Sequence, residues 1–321
     1  MKLTTQIPLQ KQSDNLIDYH SKVLLLGSCF AENIAQKFQY FKFQSSQNPF
    51  GILYHPKAIE RLIENAVEAK VYQDSDVFFH NERWHCFEAH SDLSSPSKEN
   101  LLQNLNQAIR SANQHIHEST HIIITLGTAW SYKHLETDTI VANCHKIPQK
   151  QFKKSIQSGK AVVQSLAHSI DLIHSVNPKA AVIFTVSPVR HLKDGFVENT
   201  QSKAHLIAGI HSVLNQKSAI SNQALYYFPS YEIMMDELRD YRFYAEDLVH
   251  PNQTAINYIW ESFKTVWMAE NTLITMDAVD AVQKGLQHKP FNPNSEQHQN
   301  FLSKLNAQKA RLNAQFPHIS F

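Results

Sequence analysis

The chain has 321 residues, of which 42% are hydrophobic and 18% are charged, so a packed core is expected and wholesale disorder is excluded. A formal net charge of +1 gives no electrostatic reason to expect nucleic acid or an anionic membrane surface as a partner. The 3 cysteines are widely spaced and fit neither a disulfide framework nor a zinc site, and residues 1–15 lack a stretch typical of a signal peptide. We therefore expect a cytoplasmic protein that uses no metal and no cofactor.

The first elements have the pattern of a strand followed by a helix. A short apolar run at residues 23–26 ends at Gly27 and predicts a buried parallel strand. A helix is predicted at about residues 31–38, and a second strand at residues 40–43. The next helix is predicted at residues 56–69, with a proline at its favoured early position.

The rest of the chain continues this alternation after an aromatic and polar excursion at residues 70–96. The predicted elements are a helix at 97–117, a strand at 121–127, a helix at 151–176, a strand at 181–186, a helix at 202–216, a strand at 224–228, a helix that begins near Pro251, and two C-terminal helices separated at 290–293. Such alternation predicts an α/β fold with a parallel sheet covered on both faces. We assign residues 1–270 to this domain and residues 271–321 to a helical extension.

Polar residues follow the predicted strands, where open α/β sheets bind their ligands. They are Ser28 after the first strand, Asn48 and Gly51 after the second, Thr128 after the third and Arg190 after the fourth, with Asp247 and His250 following the fifth strand and a further helix. This edge of the sheet is therefore the predicted site.

Serine hydrolysis requires a hydroxyl, a base that takes its proton and a carboxylate that orients the base. Ser28 lies where a strand turns into a helix, so its backbone N–H is expected to point outward, where the helix dipole favours an oxyanion. Asp247 and His250 are three positions apart, close enough for the carboxylate to hold the imidazole. The order serine, aspartate, histidine is compatible with known triads, whose order varies between folds.

Each of these features also has a structural interpretation. A glycine–serine pair after a strand is often a simple turn or helix cap, and the aspartate–histidine segment could cap a helix with a surface histidine. Cys29 is an alternative nucleophile, although buried cysteines are usually structural. His80, His85 and His90 are spaced by five residues, which does not match a helical metal-binding pair.

Several ordered motifs together resemble the GSCFA family, which is named for the pentapeptide at residues 27–31. The resemblance extends over residues 22–269 and includes NPFG at 48–51, LGTAW at 126–130, TVSPVRH at 185–191, LRDYRFY at 238–244 and DLVHP at 247–251. That family belongs to the SGNH/GDSL hydrolase superfamily. The resemblance implies a three-layer α/β/α, flavodoxin-like fold with a mostly five-stranded parallel sheet. It also implies that Ser28 is the nucleophile and that Asp247 and His250 act as orienter and base.

The resemblance leaves the oxyanion hole incomplete. Gly51 matches the superfamily's oxyanion-hole glycine, and the backbone of Ser28 is a second donor. The superfamily usually has Gly-x-Asn after the third strand, whereas this sequence has Gly127 followed by threonine and alanine. Thr128 or Asn48 could replace the missing asparagine. Loss of one such donor typically costs about 3 kcal/mol of transition-state stabilisation.

Two further residues of these motifs are candidates for substrate binding. His90 and Arg190 could line the pocket, since arginine can bind a carboxylate or phosphate through two hydrogen bonds. Arg190 could instead pair with an acid of residues 236–240.

Three functions remain open at this point. The first is a serine esterase that hydrolyses a carboxylic ester of a small molecule or carbohydrate, for example an O-acetyl group on a cell-wall-related substrate. This substrate class is implied by the resemblance to the superfamily and by no residue of the sequence. The second is an acyltransferase that uses the same residues, and the third is a non-catalytic binding module. For either enzyme we expect the Ser28 hydroxyl and a His250 nitrogen to lie about 2.6–3.2 Å apart, or somewhat further without ligand.

Overall fold

The computed structural model describes residues 5–218 and 223–321. Its strands are β1 (Lys22–Gly27), β2 (Gln44–Gln47), β3 (Phe78–His80), β4 (Arg83–His85), β5 (His121–Leu126), β6 (Trp130–His134), β7 (Thr139–Val141), β8 (Phe152–Ile156), β9 (Ala181–Val186) and β10 (Leu225–Phe228). Its helices are α1 (Cys29–Tyr40), α2 (Pro56–Val67), α3 (Lys98–Glu118), α4 (Gly159–Val176), α5 (Phe196–Ser218), α6 (Ser230–Glu232), which continues as a π-helix (Ile233–Glu237), α7 (Gln253–Trp267), α8 (Glu270–Gln287) and α9 (Glu296–Gln315). No helix in those ranges has the length and hydropathy needed to cross a bilayer.

The central sheet has five parallel strands in the order β10-β9-β5-β1-β2. Strands β5 and β9 are buried along their whole length, and β1 is buried after its first residue. These strands are continuously apolar because helices cover both faces of the sheet. The strand order is that of flavodoxin-like folds, in which the chain reverses its direction across the sheet after the second strand. The predicted α/β fold with a five-stranded parallel sheet is confirmed.

Successive side chains of each strand enter two separate hydrophobic clusters, as the pleat of a sheet requires. Ile122 and Ile124 of β5 pack with residues of α2, α3, α4 and α5 on one face. Ile123 and Leu25 pack with residues of α1 and α7 on the other. The arrangement therefore has three layers.

The C-terminal helices pack on the second of these faces. Val279 of α8 and Leu305 and Leu312 of α9 belong to the same buried cluster as Phe38 of α1. This packing gives the extension an intramolecular role in covering the sheet domain. The division of the chain at residue 270 stays a prediction.

Two predicted elements differ from the structure. The strand predicted at residues 40–43 is wrong, because α1 continues to Tyr40, Lys42 turns the chain with a φ of 62°, and β2 begins at Gln44. The helix predicted from residue 151 begins only at Gly159, and the preceding segment is strand β8. Strand β8 pairs with β6 in a small antiparallel sheet of three strands, and this partner overrides the local helical pattern.

Candidate active site

The site lies where the strand order reverses, outside the carboxyl ends of the neighbouring strands β1 and β5. Ser28 directly follows β1, and Gly127 directly follows β5. The two are in contact, since a Cβ atom on Gly127 would lie 3.3 Å from the Cβ of Ser28. Gly27 has a φ of 128°, and a side chain there would collide with the carbonyl oxygen of Thr125. Only glycine therefore fits immediately before Ser28.

Ser28 has a fully buried hydroxyl with no hydrogen-bond partner among the described residues. It is the N-cap residue of α1, yet its side chain makes no capping hydrogen bond. A buried polar group without a partner costs about 1–3 kcal/mol, so the unpaired hydroxyl at this position requires an explanation, as does that of Ser187. The backbone N–H of Ser28 donates to the carbonyl of Thr125 at 3.1 Å, so the prediction that it points outward is wrong.

Asp247 and His250 form a closely bonded pair in the loop before α7. The Nδ1 of His250 lies 2.6 Å from Oδ2 of Asp247, and Oδ1 of Asp247 accepts the backbone N–H groups of Val249 at 2.9 Å and of His250 at 3.0 Å. Between them Leu248 has a φ of 57°, a strained value for a bulky residue that the surrounding turn must impose. The turn thus directs Nδ1 toward the carboxylate and leaves Nε2 of His250 without a partner among the described residues, in the arrangement of an oriented base.

The charge of Asp247 is secured by the same contacts. The backbone N–H groups of His250 and Val249, together with the imidazole, lower the pKa of Asp247 to about 2. The carboxylate is therefore ionised at neutral pH and can stabilise a protonated imidazole. Both side chains are 49% exposed, in contrast to the buried Ser28.

The predicted hydrogen bond between Ser28 and His250 is not formed in this structure, because the Ser28 hydroxyl has no partner. The side chain of Tyr54 lies beside Gly127, next to the serine, and His191 packs on the outer side of Tyr54. The ring of Tyr54 comes within 3.2 Å of a Cβ placed on Gly127, and the ring of His191 meets the ring of Tyr54 edge-on at 5.6 Å. A hydrogen bond between Ser28 and His250 would therefore require a rearrangement at this edge of the sheet.

His191 is a neutral imidazole whose buried Nε2 has no hydrogen-bond partner in the part of the chain that the structure describes. Burial, reinforced by the charges of Lys203 and His250, lowers the pKa of His191 to about 3. Neither His191 nor Tyr54 was among the predicted site residues. The sequence did signal His191, which ends the motif after the fourth strand of the sheet, but it held no comparable signal for Tyr54.

Asn48 and Gly51 form a tight turn after β2 in which their hydrogen-bonding groups are already engaged. The N–H of Gly51 donates to the carbonyl of Asn48 at 2.7 Å. The side-chain oxygen of Asn48 accepts the N–H of Gly27 at 2.8 Å, and its amide nitrogen lies 3.5 Å from a carboxylate oxygen of Glu32. Asn48 thus supports the turn that carries Ser28, and its role as an oxyanion donor stays a prediction.

Thr128 is also engaged. Its N–H donates to the carbonyl of Tyr54 at 3.0 Å, and its hydroxyl lies 3.0 Å from the hydroxyl of Ser202. Buried backbone donors generally find a carbonyl partner, which explains why the predicted donors do not form an open oxyanion hole here. In this arrangement the N–H groups of Ser28, Gly51 and Thr128 are all bound to backbone carbonyls and are not free to bind an oxyanion.

His90 lies beside the candidate oxyanion-hole glycine. A Cβ atom on Gly51 would collide with the Cβ of His90, so the two residues are in close contact. The Nδ1 of His90 is 3.0 Å from a carboxylate oxygen of Asp92. The structure therefore brings His90 to the loop after β2, next to the site.

Arg190 does not form the ion pair considered from the sequence. Asp236 pairs with Arg239 at 3.4 Å and Asp240 with Arg242 at 3.6 Å. Within residues 5–218 and 223–321 no carboxylate pairs with Arg190, whose Nη2 instead contacts the sulfur of Met235 at 3.1 Å.

Lys203 is a buried cation that the sequence analysis did not identify. Its ammonium donates to the carbonyls of Gly127 at 2.7 Å and Ser187 at 2.8 Å, and so connects the ends of β5 and β9. Burial lowers the pKa of Lys203 to about 7. The available signal was helical spacing, which places Lys203 on the same face of α5 as Leu206 and Ile210. That face is buried in the structure, together with Asn199 and Ser202.

Lys203→Met is expected to change the pH dependence of stability. The folded pKa lies below the unfolded one, so the unfolded state binds more protons and the free energy of unfolding of the wild type rises as pH increases through 7. Between pH 6.5 and 8.5 this rise amounts to about 2 kcal/mol, and the variant lacks it. Urea unfolding at both pH values measures the difference, with Lys160→Met, an exposed lysine of α4, as the control. Equal slopes in wild type and Lys203→Met would contradict the assignment.

No group of three or more His, Cys, Asp or Glu residues in the described ranges is arranged to hold a metal ion. No curated protein matches the chain. The GSCFA family model matches residues 22–263, a range that includes Ser28, Asp247 and His250, and a second model, of the C-terminal domain of GSCFA domain proteins, matches residues 279–321. Because the first match alone covers most of its length, the chain belongs to the GSCFA family.

Proposed function

We propose that the protein is a serine hydrolase of the SGNH/GDSL type that cleaves a carboxylic ester through an acyl-enzyme. One arrangement carries the proposal: Ser28 has a buried, unpaired hydroxyl directly after β1, and a bonded Asp247–His250 pair, whose Nε2 has no partner among the described residues, lies in a turn whose Leu248 shares a groove with Arg190 after β9. A serine that capped α1 would use its hydroxyl in a hydrogen bond to the first turn of the helix, and Ser28 makes no such bond. The motif resemblance supports the same assignment.

In the proposed reaction, Asp247 accepts the Nδ1 proton of His250 in a hydrogen bond, so that Nε2 is the basic nitrogen. Nε2 takes the proton of Ser28 as its oxygen attacks the ester carbonyl carbon. Collapse of the tetrahedral intermediate breaks the bond to the alcohol, which leaves with the proton from His250. Water then attacks the acyl-enzyme with His250 again as the base, and the carboxylic acid and free Ser28 are released.

This reaction requires an opening that exposes Ser28 and brings it to His250. The same movement must free N–H donors for the oxyanion, since those of Ser28 and Gly51 are bound to backbone carbonyls. The first turn of α1 offers further N–H groups, because the Ser28 side chain does not cap the helix. Substrate binding that drives such a movement is a common feature of enzymes.

A fluorophosphonate probe tests the proposal directly, because it reacts covalently with an activated serine. We expect a single adduct on Ser28, mapped by mass spectrometry of the digested protein, and much slower labelling of His250→Ala. Labelling of Cys29 instead would move the chemistry to the thiol. Absence of any adduct, together with absence of aryl-ester hydrolysis, would favour the non-catalytic binding module.

Acyl transfer to a hydroxyl acceptor is the second candidate function. The complete burial of Ser28 favours it, because a site that excludes water protects an acyl-enzyme from hydrolysis. Mass spectrometry of reactions with an acetyl ester and added sugars distinguishes the two. An acetylated sugar as the main product would establish transfer, and acetate alone would establish hydrolysis.

A further inference from the structure

A groove of about 320 Å³ lies beside the loop that carries His250. Three segments form its walls: Arg190 and Phe196 from the connection between β9 and α5, Met235 from the π-helix, and Tyr241 and Leu248 from the segment before α7. The groove does not include Ser28. One residue of its wall, Leu248, belongs to the loop that carries His250.

The groove contains a cation without an anionic partner. Arg190 is partly buried, and its only polar contact among the described residues is the 3.1 Å approach to the thioether of Met235, a weak acceptor. A guanidinium offers five N–H donors in a planar fork that matches a carboxylate or phosphate. The nearby acids Asp236 and Asp240 already pair with other arginines. An anionic group entering the groove would therefore find an unsatisfied partner.

Besides Arg190 and the charged pair Arg239 and Asp240, the groove is lined by apolar and aromatic side chains, several of them exposed. Phe196 is 68% exposed, Tyr241 is 73% exposed and Leu248 is 56% exposed. Large apolar side chains that converge from separate segments on one concavity are typical of ligand-binding surfaces. A ligand that covers them needs an apolar portion next to its anionic group.

Two residues of the groove are close in sequence to residues of the candidate active site. Arg190 directly precedes His191, whose ring packs against Tyr54 beside Ser28, and Leu248 lies within the Asp247–His250 turn. Building on the proposed ester hydrolysis, we propose that this groove binds an anionic group of the ester substrate. Arg190 binds the carboxylate or phosphate through two hydrogen bonds, and Phe196, Tyr241 and Leu248 cover the adjoining apolar part.

The test compares esters that differ only in charge. On the alcohol side the pair is para-acetoxybenzoate and its methyl ester, and on the acyl side it is the mono-para-nitrophenyl ester of terephthalate and its methyl ester. We expect the wild type to prefer the anionic member of at least one pair. Arg190→Gln should lower kcat/KM for that member by about 10- to 100-fold and change kcat/KM for the neutral one by less than twofold. The matched control is Arg110→Gln, an exposed arginine of α3 that does not line the groove and should leave both values unchanged.

Binding of para-acetoxybenzoate to Ser28→Ala, measured by calorimetry with and without Arg190→Gln, separates the two proposals. If no ester is hydrolysed but this binding depends on Arg190, the hydrolase proposal fails and the anion site stands. If esters are hydrolysed through Ser28 without preference for the anionic members, and the calorimetry shows no effect of Arg190→Gln, the anion site is overturned. Equal effects of Arg190→Gln and Arg110→Gln would overturn it as well.

Discussion

Replacing Ser28 with alanine is expected to abolish ester hydrolysis while leaving the fold at least as stable as the wild type. Activity should fall by about 10³- to 10⁴-fold or more, because no other group forms the acyl-enzyme. Stability should not fall, because the hydroxyl is fully buried and makes no hydrogen bond that the substitution would break. Removing an unsatisfied buried polar group instead relieves a penalty of about 1–3 kcal/mol.

Aryl-ester kinetics and urea unfolding measure the two effects on the same preparations. Ser187→Ala is the matched control, since the hydroxyl of Ser187 is also fully buried and unpaired and lies at the end of β9. That variant should show a similar gain or no change in stability and retain its activity. Full activity in Ser28→Ala would exclude the serine mechanism. An equal loss in Cys29→Ala would point to the thiol as nucleophile.

A combined loss of activity and gain of stability would have a specific meaning. A serine that only turned the chain or capped α1 would use its hydroxyl in a hydrogen bond, and alanine would then destabilise the protein by about 1 kcal/mol. A serine nucleophile that is not yet hydrogen-bonded to its base would have such an unpaired hydroxyl, at a cost in stability. Stability thus tests whether Ser28 is only a turn or cap residue, independently of the choice of substrate.

The sequence predicted those features that depend on neighbouring residues. Strands β5 and β9 were found because burial on both faces makes them continuously apolar. The Asp247–His250 contact was predicted from a separation of three residues, which one turn of backbone can close. Ser28 was identified from its place between a strand and a helix, and the fold then put it at the point where the strand order reverses.

Features that depend on distant partners could not be predicted in this way. Spacing shows which strand Thr128 follows, but not that its N–H is taken by the carbonyl of Tyr54. The sequence of strand β8 has a helical pattern, and it is the backbone pairing with β6 that makes this segment a strand. Lys203 resembles any solvated lysine of an amphipathic helix until α5 packs against the ends of β5 and β9. Each of these outcomes is decided by tertiary packing.

Replacing Asp247 with asparagine is expected to lower kcat/KM for aryl esters by about 10³- to 10⁴-fold without unfolding the protein. The asparagine oxygen can still accept the backbone N–H groups of Val249 and His250, so the turn should survive. Its amide nitrogen would then face Nδ1 of His250 and require that nitrogen to be an acceptor. The proton would move to Nε2, and the imidazole could no longer take a proton from Ser28.

The carboxylate, rather than the general shape of the loop, is what this substitution tests. Glu246→Gln changes an exposed acid next to Asp247 and should retain activity within twofold. Because the pKa of Asp247 is about 2, its protonation cannot explain any loss of wild-type activity above about pH 4. If Asp247→Asn kept full activity while Ser28→Ala was inactive, either His250 would be oriented by another group or the neutral, half-buried His191 would be the base. Asp247 would then be a structural residue that only shapes the turn before α7.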